Sequence, residues 1–313
     1  MPNQTSNGKA FEYACLKAFH DALNVDGNCL VVEDDNLEKA KQFFEALPDK
    51  TPYVLGARAT IKFLLRVEPR LKTSTKEDPL TLSIQPDRAG QRGDVRDIVF
   101  VRSSDGWEIG LSCKHNHDAA KSQRLSYTID FGQEWLSHPC SKTYFEEIKP
   151  IFDRLSELKE QNLLFENIAD KEDTIYYPLM TAFIKELKAL TAAHPDVPAQ
   201  LLCYILGRFD FYKVSMYERE KITKIYVFNM HKTLGKDCDV RPRVLQLPKY
   251  IEDIKFKTGS KHTAIITFDN DWKVSMRIHN AKKQVETSLK FDTVVTSYPA
   301  SLTVHSEAWD AEM

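Results

Sequence analysis

Apolar residues recur along this chain with two different periods, and each change of period marks an element. From Asp97 to Arg102 and from Trp107 to Lys114 the pattern is that of strands, β-branched and aromatic or alternating. Ser103-Ser104-Asp105-Gly106 between them has turn chemistry, so the stretch predicts a hairpin. Pairing Arg102 with Trp107 sets Asp97 opposite Ser112, with Lys114 just beyond on the same face. The other face then carries Ile98, Phe100, Trp107, Ile109, Leu111 and Cys113, an almost wholly apolar set. A bulge at Gly106 would shift that register by one.

Helical spacing predicts a first helix over residues 8–24, capped by Asn7, with Phe11, Ala14, Cys15, Ala18, Phe19 and Ala22 as its apolar stripe. Residues 36–72 read as helical on both sides of Pro48 and Pro52. Leu80 to Gln85 alternates as a short strand beside the hairpin, followed by a loop over residues 86–93. After Lys114 the spacing predicts a helix capped by Asp118 and bearing Lys121 and Arg124. Residues 141–168 form an amphipathic helical region with a break expected at Pro150, and 174–194 form another. Lys224 to Phe228 reads as a strand. Thr263–Phe268 and Trp272–His279 read as a second hairpin, and Leu289–Thr296 as a further strand.

The texture changes near Gly235, which suggests a core with helical insertions over residues 1–235 and a β-rich part over 236–313. That second part is crowded with Lys255, Lys257, Lys261, Lys273, Arg277, Lys282 and Lys283. It suits either a DNA-gripping module or an ordinary solvated sheet. Composition adds little: 42% hydrophobic and 28% charged residues are those of a globular protein, and a net charge of −2 neither favours nor opposes a nucleic acid. No apolar run reaches the ~20 residues of a membrane span. Six scattered cysteines, with no CxxC pair, fit reduced thiols in the cytoplasm.

The hairpin end carries candidate chemistry. An acid, a hydroxyl and a lysine stand together there. Phosphodiester cleavage needs a hard cation on carboxylate oxygens and a positive group where negative charge develops. Asp97 could supply the first and Lys114 the second; a cross-strand Asp–Lys pair of structural meaning is the alternative. Glu12, at the edge of the first helix's apolar stripe, is a candidate further acid. His115, Asn116 and His117, with Lys121 and Arg124, could contact phosphates. Cys113, His115 and His117 lack the second ligand pair that a zinc site requires. The contiguous His115-Asn116-His117 is unlike an HNH nuclease site, whose residues lie far apart in sequence.

Taken together, residues 93–126, Ile129-Asp130-Phe131-Gly132, Asp210-Phe211-Tyr212-Lys213, Met276-Arg277-Ile278-His279-Asn280 and Leu289-Lys290-Phe291-Asp292 resemble the HaeIII family of type II restriction endonucleases. The resemblance runs from the first helix to near residue 300. It implies an α/β fold of the PD-(D/E)xK nuclease type: a mixed sheet flanked by helices, with a β-rich C-terminal part. It also implies Mg²⁺-dependent cleavage of double-stranded DNA at GGCC, leaving 5′-phosphate and 3′-hydroxyl ends. Asp97 matches the first acid of the motif and Lys114 its lysine, so both are expected to be catalytic, with Asp97 a metal ligand. The chain departs from the pattern at Ser112, where Asp or Glu is usual, and Ser112 is expected to hold a metal-bound water. Glu108 cannot replace the missing acid, since four strand residues put it about 13 Å away. Glu12, Asp130 and Glu134 are the candidates, Glu12 first. Arg96, Arg277 and the Arg88/Arg92 loop are expected to contact bases. A palindromic site favours a two-fold homodimer, with a monomer acting twice as the alternative, and the family implies a cognate DNA methyltransferase in the same system. The rival expectations are a DNA-binding protein without catalysis and a repair nuclease of the same fold.

Overall fold

The computed structural model describes residues 4–86, 93–115 and 123–310, the side chains of Gln4 and Thr5 excepted. The chain forms two compact units, residues 1–118 with 207–246 and 301–313, and residues 119–206 with 247–300.

The first unit is built on a seven-stranded mixed sheet. Its strands are β1 (Cys29–Val31), β2 (Leu80–Ile84), β3 (Ile98–Arg102), β4 (Trp107–His115), β6 (Phe211–Tyr217), β7 (Ile222–Phe228) and β12 (Thr303–Ala308), in the spatial order β1-β2-β3-β4-β6-β7-β12. β4 and β6 run parallel, and β3 and β4 are the predicted hairpin. Helices α1 (Gln4–Leu23), α2 (Asp35–Glu45) and α3 (Thr51–Val67) bury their apolar stripes with the sheet in one core. Phe19 of α1 meets Phe100 edge-on at 4.8 Å, and the even-numbered face of β3 joins Trp107, Ile109, Leu111 and Cys113 there. Gly56 brings α3 down onto β6, since a Cβ there would lie 3.3 Å from Met216 Cβ.

The second unit holds a five-stranded antiparallel sheet of β5 (Arg124–Leu125), β8 (Ile251–Phe256), β9 (Thr263–Phe268), β10 (Lys273–His279) and β11 (Leu289–Ser297), in the order β5-β11-β10-β9-β8. Helices α4 (Phe131–Leu136), α5 (Lys142–Glu160), α6 (Tyr177–Ala193) and α7 (Val197–Leu206) complete it. Trp135 of α4 and Phe183 of α6 pack on Phe291 of β11, so the odd-numbered face of that strand is core.

Several expectations change. α1 begins at Gln4, so Asn7 lies inside it rather than capping it. The cap of α2 is Asp34, whose side chain accepts the amides of Asn36 and Leu37. α5 runs unbroken through Pro150 because Tyr144, Ile148, Ile151, Phe152 and Leu155 are buried on both sides of it, which offsets one lost backbone bond. Arg124 lies in a strand, not a helix: it pairs in register with Lys290 of β11. The units do not follow a cut at residue 235. The second contains helices from the middle of the chain, and β12 returns to the first by pairing with β7.

Candidate active site

Asp97 is positioned by the hairpin register. Ile98 pairs with Leu111 and Arg102 with Trp107, the expected alignment, and the Asp97 amide extends the ladder by donating to Leu111 O at 2.6 Å. Its side chain then turns onto the end of β4. One oxygen, Oδ2, accepts the Cys113 amide at 2.7 Å, Lys114 Nζ at 3.1 Å and Ser112 Oγ at 3.2 Å. Among the described residues Oδ1 receives no such donor. It is held in place by its twin and left as an acceptor.

Lys114 is enclosed along its stem, with a quarter of its side-chain surface accessible (25%). Burial alone would push its ammonium down. The charge and hydrogen bond of Asp97, with the charge of Glu12, outweigh that and hold it above its ordinary value. It is a fixed cation rather than a ready base.

Glu12 of α1 is 5% exposed. Burial and then the charge of Asp97 push its carboxyl up to about 8, against the opposing pulls of Lys9 and Lys114. The structure thus brings Glu12, a residue 85 positions before Asp97, into the electrostatic reach of the hairpin acid and lysine. Lys9, one helical turn earlier, donates to Glu12 Oε2 at 3.0 Å. The sequence reading passed over Lys9, although its i,i+3 spacing from Glu12 is a readable signal.

The two carboxylates fit a hard divalent cation by the chemistry of their oxygens: Asp97 presents a second oxygen, and a dication would relieve the share of the rise in Glu12 that comes, after burial, from the charge of Asp97. Among the described residues no group of three or more His, Cys, Asp or Glu side chains converges as a metal cage.

The strand end is braced on the α3 side. His115 Nε2 lies 2.6 Å from Glu218 Oε1, and its ring stacks on Tyr53 of α3 at 5.4 Å with planes 1° apart. His115 is therefore engaged with protein groups. On the next strand, Lys213 stands in register with Ser112 and is buried over the Tyr226 ring at 5.2 Å. Tyr53, Lys213 and Glu218 were not singled out from sequence; only the parallel β4–β6 pairing brings the last two here.

Arg96 is placed unlike a base-contacting arginine. Its side chain is 4% exposed, held by Asp94 at 2.8 Å and Glu108 at 2.9 Å, with the Phe209 ring 4.0 Å below the guanidinium. Gly110 makes room for it, since a Cβ there would lie 2.2 Å from Arg96 Cδ. Arg88, Arg92, Asn116, His117 and Lys121 lie outside the described residues.

In the second unit, the pairing of β5 with β11 and of β11 with β10 puts Arg124, Lys290 and His279 in one row across the sheet and Asp292 with Arg277 in the next. Arg277 is half exposed and ion-paired with Asp292. Arg124 donates to Ser288 Oγ at 2.8 Å. Asp130 caps α4 through the Gln133 amide and also accepts the Cys140 amide, a structural use; Glu134 lies in the first turn of α4. No helix of the described residues is long and apolar enough to cross a membrane.

Comparison with known proteins identifies the family. The HaeIII restriction endonuclease family profile matches residues 8–299. The chain is 36% identical over 319 residues to the type II restriction enzyme HaeIII of Haemophilus aegyptius, covering 99% of this chain and 100% of that protein. No solved structure matches the chain at a significant level.

Proposed function

We infer the reaction from one premise: the chain belongs to the HaeIII restriction endonuclease family. It is a type II restriction endonuclease that hydrolyses double-stranded DNA at a short palindrome, GGCC, with Mg²⁺ and leaves 5′-phosphate ends. The observation that carries this reading is the convergence of Ser112, the Cys113 amide and Lys114 on a single oxygen of Asp97, beside the buried Glu12.

Asp97 and Glu12 are the carboxylates that would hold magnesium, which supplies Lewis acidity toward the scissile phosphate. Asp97 Oδ2 stays with its three donors, so Oδ1 is the oxygen it offers. Lys114, kept protonated by Asp97, orients the attacking water and offsets the negative charge that grows on the phosphoryl oxygens. Ser112 fixes the Asp97 carboxylate and stands in the place of the motif's usual second acid. His115 and Glu218 pin the end of β4, and with it Lys114, to the neighbouring strand. Arg96 keeps the loop before Asp97 rigid from inside. The sheet face that carries Arg124, Lys290 and Arg277 on adjacent rows supplies phosphate and base contacts, Arg277 being suited to guanine O6 and N7. The enzyme acts on DNA in the cytoplasm as a homodimer, with a methyltransferase of the same specificity protecting the host site.

Digestion of a plasmid of known sequence, with and without Mg²⁺, tests the reading. Discrete fragments ending within GGCC, lost on chelation, support it. DNA retained in a gel shift but never cut with any divalent ion returns the chain to a binding protein. Cutting by DNA shape rather than sequence makes it a repair nuclease.

A further inference from the structure

The pairing of β10 with β11 sets Arg277 directly opposite Asp292, so the two side chains share one row on the outer face of the second unit's sheet. Arg277 Nη2 donates to Asp292 Oδ2, and the two side chains keep 53% and 42% of their surface accessible. His279 Nδ1 stands 3.7 Å from the same oxygen. Among the described residues, Asp292 Oδ1 and the remaining guanidinium N–H groups of Arg277 meet no hydrogen-bond partner. The row beside them is basic: Arg124, Lys290 and His279 stand in register across β5, β11 and β10.

A face that only gripped phosphates would gain nothing from an acid among its cations, because a carboxylate repels the DNA backbone. An acid fixed beside an arginine suits base edges instead. The free guanidinium N–H groups supply donors, and Asp292 Oδ1 supplies an acceptor next to them. In the major groove a G·C pair shows two acceptors, guanine N7 and O6, and then one donor, the cytosine N4 amino group. An A·T pair shows acceptor, donor, acceptor, which sets one arginine donor against another donor. The order of groups therefore selects G·C. We propose that Arg277 and Asp292 form one reading unit, Arg277 donating to guanine O6 and N7 while Asp292 Oδ1 accepts from cytosine N4 of the same base pair. The inference rests on this sheet face being the DNA surface, as read above. It makes Asp292 a specificity-determining residue, and its Oδ2, by holding Nη2, fixes the guanidinium before DNA arrives.

The test is equilibrium binding of the full chain, with Ca²⁺ in place of Mg²⁺, to labelled duplexes: one holding GGCC, one lacking it, and a set in which each G·C pair of the site is changed to A·T. Asp292→Asn is expected to bind the GGCC duplex at least about tenfold more weakly than wild type, the scale of one base contact, and the duplex without the site no more weakly. Its lost preference falls at one base pair and the symmetry mate of that pair, the same position at which Arg277→Ala loses preference. An Asp292 that is merely the counter-ion of Arg277 gives the opposite sign: neutralising it tightens binding to both duplexes together and leaves their ratio unchanged. That result overturns the proposal, as does a loss of preference at a position other than that of Arg277→Ala. Asp292→Ser repeats the comparison if the asparagine variant lacks the wild-type circular dichroism spectrum. Wild type without preference for GGCC, or Arg124→Ala and Arg277→Ala that bind every duplex as wild type does, overturns the functional reading and this inference with it. Asp292→Asn that binds as wild type does, while those two variants are weakened, overturns the reading unit alone.

Discussion

Lys114 donates to the same oxygen of Asp97, at 3.1 Å, that accepts the Cys113 amide at 2.7 Å, so the site's cation and the backbone beside it are fastened to one atom. Replacing either partner has a different consequence. Lys114→Ala is expected to fold and to bind DNA while cleaving at least about 10²–10³-fold more slowly, the scale for one lost stabiliser of developing charge. Single-turnover cleavage beside a gel shift measures both. Cleavage within tenfold of wild type would remove Lys114 from the chemistry.

Ser112→Ala deletes only the weakest of the three bonds to Asp97, at 3.2 Å. One hydrogen bond of about 1 kcal/mol corresponds to a cleavage rate about five- to tenfold lower. A loss as large as that of Lys114→Ala would mean that the hydroxyl touches the reacting groups itself.

Arg96→Ala is expected to act on stability and not on recognition. It leaves Asp94 without its partner and opens a gap between Phe209 and Gly110. Breaking so enclosed a pair costs about 3 kcal/mol, and chemical denaturation reads it directly. DNA affinity per folded molecule should stay at the wild-type value; a folded variant with altered sequence preference would restore Arg96 as a base contact.

Arg277→Ala and Arg124→Ala should each weaken DNA binding. A phosphate contact lowers the salt slope of log K by about one, whereas a base contact relaxes preference at one position with little change of slope. Filter binding at several salt concentrations separates the two. Affinity and slope both equal to wild type would take that sheet face out of the DNA surface.

Glu68 supplies a pH dependence far from the chemistry. Its Oε1 accepts the Tyr212 hydroxyl and the Gly235 amide, while Oε2 finds no hydrogen-bond partner among the described residues. Burial raises its carboxyl from 4.5 by more than those two donors lower it. The folded form therefore keeps a proton that the unfolded chain releases. The associated stability is fully present below 4.5 and is lost as pH rises toward the raised value. Melting temperatures of wild type should fall relative to Glu68→Gln as pH rises from 4.5 through the neutral range. A constant difference across that range would contradict the raised value.

How far the sequence carried depended on whether a signal was local. The β3–β4 register was readable because apolar positions repeat with period two and the turn names itself, so Asp97, Ser112 and Lys114 could be placed together. Glu12 was readable as an acid beside an apolar stripe. The edge strands β1, β8 and β12 were not, because short strands with mixed burial carry little periodicity. Arg96 looked like a loop cation; its burial depends on Gly110 leaving room on the next strand. The bracing of His115 by Glu218 follows from β4 pairing with β6, and no neighbouring residue announces a contact across about a hundred positions.

That same parallel pairing has a consequence in time. Ninety-five residues lie between His115, the end of β4, and Phe211, the start of β6. At about 5–20 residues per second, a ribosome takes about 5–20 s to cross that interval. β12, which covers the outer edge of β7, comes later still. A growing chain thus carries its acid–lysine hairpin well before the sheet that makes it rigid exists. Cutting competence arrives late in synthesis, and a chain interrupted before residue 303 exposes the apolar edge of β7 to misassembly.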